Sequence, residues 1–323
     1  MQASDGTTRY RPDIDGLRAI AVLSVIFYHL SLPGAGSGYA GVDVFFVISG
    51  FLIGGIVLRE RAEGRFTYRR FYARRIRRIL PALFAVILCI LPFAWTQMTP
   101  HDLRYFGGAI AATLAFLSNV WFYTRIDYFN PEAELDPLLH TWSLGVEEQF
   151  YLLFPPLVAL AARFGRRALV PVLALLGLAS LAVALKTSEA QPTLAFYLLH
   201  TRFWELMAGV LAAVFLPRAQ GLSPALATAL ALAGLALVLI GVTLLPEPQG
   251  WPGPTTLVPV LGAVLLVLFG ASGPAGRLLA SPPFRAVGLI SYSAYLIHHP
   301  MISLLVISGH PAESLAAKLA VVA

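Results

Sequence analysis

The chain has 323 residues, 58% of them hydrophobic and only 12% charged, with a mean hydropathy of +0.74; soluble domains carry about a quarter charged residues, so that class is excluded. The formal charge of +6 does not point to nucleic acid, because the basic residues are almost all arginine and nine of them lie between Arg59 and Arg78. The single cysteine, Cys89, sits in an apolar run and excludes an internal disulfide or a cysteine metal cluster.

The start, Met1–Pro12, is short and polar and lacks the apolar core of a removable signal. Apolar segments then follow at roughly 15–33, 41–58, 79–97, 104–123, 146–162, 168–186, 195–216, 223–245, 255–271 and 284–308. Their lengths suit a hydrocarbon core of about 30 Å at about 1.5 Å per helical residue, and they are apolar all round rather than on one face. The expectation is an all-α, polytopic transmembrane bundle of about ten helices, forming one unit over residues 1–323. A further apolar segment begins near Ala312 and stops at Ala323, too short to cross alone, which suggests a piece of a longer protein.

Arginine placement sets the expected orientation. Arg9, Arg11 and the Arg59–Arg78 stretch put the N-terminus and that loop on the cytoplasmic side of the inner or plasma membrane. Arg163, Arg166, Arg167, Arg218, Arg277 and Arg285 fit the same side only if one segment between 79 and 145 fails to cross. The segment 104–123, or the Tyr128–Ser143 connection folding back, is the expected exception; irregular backbone at that depth lines protein cavities.

Ionisable groups inside apolar spans are costly and mark function by default. In the first span Arg18 and His29 lie eleven residues apart, about 16 Å along a helix and nearly on one face. A histidine there can take a proton from a hydroxyl at neutral pH; its bland role is a hydrogen bond that glues helices together. Asp43 opens the second span near the level of His29, where it could orient that imidazole or merely complement the helix dipole. Ser49, Gly50, Gly54 and Gly55 read as small residues that let helices approach. In Phe71-Tyr-Ala-Arg-Arg-Ile-Arg-Arg-Ile-Leu-Pro81, Arg74 with Arg77, or Arg75 with Arg78, stand one turn apart. Such forked pairs suit a pyrophosphate, although arginine clusters of this kind usually mark topology and anionic lipid.

The densest polar segment is Leu138-Leu-His-Thr-Trp-Ser-Leu-Gly-Val-Glu-Glu-Gln-Phe-Tyr151, where Ser143, Glu147 and Tyr151 recur every four residues on one stripe, with Glu148 turned away. Farther on, Arg202 and Glu205 are three apart and can pair within their helix, and Ser291–Pro300 brings His298 and His299 into an apolar span. No spacing here makes a metal site.

Taken together these stretches resemble acyltransferase family 3, the membrane proteins that include bacterial O-antigen and peptidoglycan O-acetyltransferases. The resemblance rests on Tyr10–Val22, Gly41–Ile53, Phe71–Pro81, Leu138–Tyr151 and Ser291–Leu296, in order, and covers Tyr10 to about Pro300. It implies that His29 is the essential histidine following an arginine, Arg18, by eleven positions. It also implies that Arg74–Arg78 is the double-arginine motif of the acyl-CoA end, and that Glu147 belongs to the serine–glutamate–tyrosine segment. Two departures stand out. Members usually read Trp-His-Trp-Pro where this chain reads Ile297-His298-His299-Pro300, and no Gly-Asp-Ser block of a periplasmic SGNH-type hydrolase occurs in these residues.

The expected activity is acyl transfer, with acetyl-CoA as cytoplasmic donor and a hydroxyl of an envelope glycan, such as lipopolysaccharide or peptidoglycan, as acceptor. The expected site has His29 as base with Asp43 or Glu147 orienting it. Arg18, Arg74, Arg75, Arg77 and Arg78 hold the donor, and Ser143, Tyr151, Arg202 and His298 line the cavity. The partners are then acyl-CoA, the glycan and the bilayer. The rival class is a transporter, which also buries Arg, Asp, Glu and His at mid-membrane.

Overall fold

A computed structural model describes residues 10–125, 135–245 and 250–309. Among these the ordered elements are all helical. The apolar segment beginning near Ala312, and part of the Tyr128–Ser143 connection, lie outside the described residues.

Helix α1 (Pro12–His29) opens on a proline at its first position, with Asp13 and Asp15 in the first turn, where carboxylates complement the positive end of the helix dipole. A turn with Ser31 at φ 49° and a short 3-10 segment, Gly38–Ala40, return the chain into α2 (Gly41–Ala62). That helix has Asp43 in its first turn and Arg59 and Arg61 in its last, the dipole-matched order. Helix α3 (Tyr68–Gln97) has 30 residues. It begins eleven residues before the apolar run, so the arginine-rich stretch is helical and Arg75 and Arg78 do share a face.

The expected span 104–123 is not one helix. Helix α4 (Pro100–Leu114) is capped by the Thr99 side chain, the chain breaks at Phe116 with φ 56°, and α5 (Ser118–Tyr123) has six residues. A bulky residue at positive φ cannot continue a helix. Neither piece is among the helices long and apolar enough to cross a membrane.

The remaining helices are α6 (Thr141–Ala161), α7 (Arg166–Ala190), α8 (Pro192–Tyr197), α9 (Leu199–Ala219), α10 (Pro224–Thr243), α11 (Leu257–Phe269), α12 (Gly273–Leu279) and α13 (Pro282–Ile307). Among the described residues six helices are long and apolar enough to cross a membrane, or up to seven if α11 and α12, bent by 94°, form one span. The expected count of about ten is therefore not reached by length and apolarity. Helix α1 carries Asp13, Asp15 and Arg18 in 18 residues, α6 carries Glu147-Glu148-Gln149, and α4 and α5 are broken apart.

Close crossings fix the bundle around α1 and α2. A Cβ at Gly50 would lie 1.9 Å from the Leu206 carbonyl oxygen, and one at Gly209 would lie 2.0 Å from that of Val47. The α2 and α9 backbones thus touch through small residues, as membrane helices do when packing rather than water drives association. Gly288 of α13 sits against the Asp15 backbone in the same way. Gly50→Leu is expected to part α2 from α9 and to cost about 1–3 kcal/mol or more, seen as a shortened half-life of the detergent-solubilised protein at a fixed raised temperature. Gly55→Ala, where the nearest neighbour is 3.8 Å away, is expected to leave that half-life unchanged.

Candidate functional site

The polar side chains of the spans gather at three levels. At the first, Arg18 of α1 and Arg75 and Arg78 of α3 line a cavity of about 100 Å³. Arg75 is one turn from Arg78, so one helix delivers two guanidiniums to the same wall. Arg74, which the sequence also offered, is turned to Glu60 at 2.9 Å, and Arg77 is exposed and does not line the cavity. Arg18 also has Asp15 at 3.5 Å one turn below it.

Glu147 forms the second level in the same cavity. Its Oε1 accepts from the Ser49 hydroxyl at 2.6 Å, and its Oε2 faces the Tyr151 hydroxyl at 3.4 Å. Ser143, Glu147 and Tyr151 all line the cavity, so the every-fourth-residue stripe of α6 points inward as a unit. Ser49 has a role that the sequence did not suggest: it faces the carboxylate rather than serving only as a small packing residue.

Tyr295 of α13 also lines the cavity. Its hydroxyl is 2.7 Å from Ser143 Oγ and donates to the His140 carbonyl at 3.1 Å.

Beyond Tyr295 lies the third level, four histidines from three helices. The His29 ring centroid is 5.1 Å from that of His298 and 5.0 Å from that of His299. The His140 ring, at the start of α6, is 5.5 Å from each of His298 and His299. His140, His298 and His299 are buried. Nδ1 of His29 bonds the Val25 carbonyl at 2.9 Å, and Nδ1 of His298 bonds the Tyr295 carbonyl at 2.7 Å. His298 Nε2 stands 3.4 Å from His29 Nδ1. The ring nitrogens of His140 and Nδ1 of His299 are buried. In the turn leading to α6, burial pushes the Asp136 carboxyl up to about 7, partly offset by the Leu138 amide. Among the described residues no group of three or more His, Cys, Asp or Glu has the arrangement to hold a metal ion.

Asp43 and Arg202 lie elsewhere than the sequence suggested. Arg202 Nη1 donates to Asp43 Oδ1 at 2.7 Å and to Glu205 Oε1 at 3.1 Å, and its Nε donates to the Phe196 carbonyl at 2.9 Å. Trp251 Nε1 reaches the other Asp43 oxygen at 3.2 Å. Asp43 is thus engaged by α9 rather than by His29, and Arg202 is at the centre of a buried ion cluster, not on the cavity wall. The physical reason is charge: a carboxylate in a dry interior takes the nearest guanidinium, and the helix crossing at Gly50 brings Arg202 to it. Glu147, bonded to Ser49, likewise lies a level away from the imidazole that it was expected to orient.

The family described as the acyltransferase domain, acyltransferase family 3, matches residues 11–310. The chain belongs to this family. Among its relatives, the peptidoglycan O-acetyltransferase OatA of Listeria monocytogenes is 31% identical over 92% of this chain and 51% of its own length. The O-acetyltransferase OatA of Staphylococcus aureus is 33% identical over 91% and 51%, and YrhL of Bacillus subtilis 36% over 92% and 49%. The chain thus spans about half the length of these curated relatives. No solved structure matches it. As an acyltransferase family 3 member with several long apolar helices, it is a multi-pass membrane protein. His140, Tyr295 and His299 are polar residues of the site that the sequence analysis quoted within motifs without a role. The signal was present as a histidine in Leu138–Tyr151 and a second one in the Ile297–Pro300 run.

Proposed function

We propose that this protein moves an acetyl group from acetyl-CoA, bound at the arginine end, to a hydroxyl of a cell-envelope glycan that approaches the histidine end. Peptidoglycan is the acceptor class that the relatives' names favour, with the arginine end in the cytoplasm of the cell whose inner or plasma membrane holds the protein. The observation that carries this reading is the single polar column. It runs from Arg18, Arg75 and Arg78 through Ser49 and Glu147 to Tyr295, with His29 and His298 immediately behind. The family's acyltransferase name does not favour the transporter reading.

The chemistry follows from that order. Two forked guanidiniums bind the donor's phosphates, and the extended pantetheine arm carries the thioester along a path comparable with the ~16 Å from Arg18 to His29. His29 Nε2 takes the proton of the acceptor hydroxyl as its oxygen attacks the thioester carbon. The C–S bond breaks, and the thiolate of CoA leaves and receives that proton. Glu147 and Ser49 flank the arm on its way. Asp43, through Arg202, sets the position of α2.

Membranes with the full-length protein, incubated with radiolabelled acetyl-CoA and envelope glycans, are expected to place label in alkali-labile esters; membranes without it are not. Arg75→Ala with Arg78→Ala is expected to raise the KM for acetyl-CoA by about tenfold or more, at about 1.4 kcal/mol per tenfold, while Arg77→Ala leaves it unchanged. Absence of label together with absence of acetyl-CoA binding would sink the proposal.

A further inference from the structure

We infer that His298 is the positioning residue of His29: the two imidazoles act as a pair in which His298 takes the place that a carboxylate holds in a hydrolytic triad. This rests on the acyl-transfer reading of the site and names the group that orients its base.

The argument starts from the backbone. A carbonyl oxygen only accepts, so the contact of His29 Nδ1 with Val25 O at 2.9 Å places the ring hydrogen on Nδ1. The lone pair of neutral His29 is then on Nε2. The same logic at His298, whose Nδ1 meets the Tyr295 carbonyl at 2.7 Å, puts its hydrogen on Nδ1 and its lone pair on Nε2. That Nε2 is the atom 3.4 Å from His29 Nδ1. The Nδ1–H of His29 is therefore shared between a carbonyl and an imidazole lone pair, and two carbonyls one turn back on their own helices fix both tautomers.

The two carboxylates that the sequence offered for this are engaged elsewhere. Asp43 receives Arg202 and Trp251, and Glu147 receives Ser49 and faces Tyr151. When His29 Nε2 gains the acceptor's proton, the imidazolium keeps its Nδ1–H on Val25 and His298, and the lone pair of His298 stabilises the charge that forms. No net proton is lost: it passes on from His29 Nε2 to the departing thiolate. Among the described residues, His140, His299, Tyr28 and Tyr295 stand around the pair.

The test uses the full chain in membranes with radiolabelled acetyl-CoA and envelope glycans. His298→Leu removes the acceptor, and His298→Gln offers an amide oxygen in its place. His298→Leu is expected to lower kcat by about 10²-fold with the KM for acetyl-CoA unchanged, and His298→Gln to restore kcat to within about tenfold of the parent. Adding His298→Leu to His29→Ala is expected to cause no further loss, since the two act as a unit. If His29→Ala abolishes transfer while His298→Leu keeps full kcat, or if the two losses multiply, the pairing is wrong and the acyl-transfer reading stands. If His298→Gln is as inactive as His298→Leu while both proteins bind acetyl-CoA normally, the acceptor role is also overturned. If His29→Ala itself keeps full transfer, the base is not His29 and the pairing falls with it; if the parent protein transfers no label, it is the acyl-transfer reading that fails.

Discussion

Replacing Arg202 by leucine is expected to cost about 3–5 kcal/mol of stability, because it leaves buried charge without its partner. The guanidinium serves two carboxylates at once, Asp43 at 2.7 Å and Glu205 at 3.1 Å, with side chains no more than 1% exposed. It also lies 4.9 Å from the Phe196 ring centroid and 5.4 Å from that of Trp142, so its flat faces are covered as well as its donors. Without it, Asp43 keeps the Trp251 indole, and Glu205 loses the Arg202 donor. The measurement is the half-life of the solubilised protein at a fixed raised temperature, set beside a triple variant, Arg202→Leu with Asp43→Asn and Glu205→Gln. Removing all three charges is expected to recover most of the loss, since a buried ion cluster replaced as a whole is often neutral. A single variant as durable as the parent would mean that the cluster contributes nothing to stability. The cluster joins α2, α9 and the segment before α11 at the level of the histidines, so its loss is also expected to loosen the site.

What the sequence could convey about this site is what a single helix can carry. The stripe of Ser143, Glu147 and Tyr151, and the match of Arg75 with Arg78, follow from 3.6 residues per turn, and the structure turns both sets into one cavity. The break at Phe116, with its positive φ, was not legible: residues 104–123 are apolar enough to pass for one span. Partnerships between helices were beyond reach. Ser49 meets Glu147 across 98 residues, Asp43 meets Arg202 across 159, and His298 meets His29 across 269. Helical periodicity fixes which face a side chain is on and says nothing of which helix that face meets. So the residues of the site were mostly named from sequence, while the pairing that assigned Asp43 to His29 was replaced by one that depends on the α2–α9 crossing at Gly50.

His29→Ala is expected to lower kcat for acetyl transfer by about 10²–10⁴-fold, the usual contribution of a positioned general base, or about 3–5 kcal/mol of transition-state stabilisation at 1.36 kcal/mol per tenfold. The KM for acetyl-CoA is expected to stay where it is. The donor's charged end is held at Arg18, Arg75 and Arg78, about 16 Å away along α1, and a mutation that removes only a transition-state interaction lowers kcat and kcat/KM together. The protein is expected to fold, because His29 ends α1 and the close crossings of the bundle, at Gly50, Gly209 and Gly288, lie elsewhere. Label in alkali-labile glycan esters, followed over time at saturating acetyl-CoA, gives kcat, and a donor titration gives KM. A fall in kcat with an equal rise in KM would move His29 from proton transfer to donor binding, and the polar column would then end at Tyr295. Undiminished transfer in a folded protein would take the base away from the histidine end altogether and leave Glu147, with Ser49 at 2.6 Å, as the remaining proton acceptor facing the cavity.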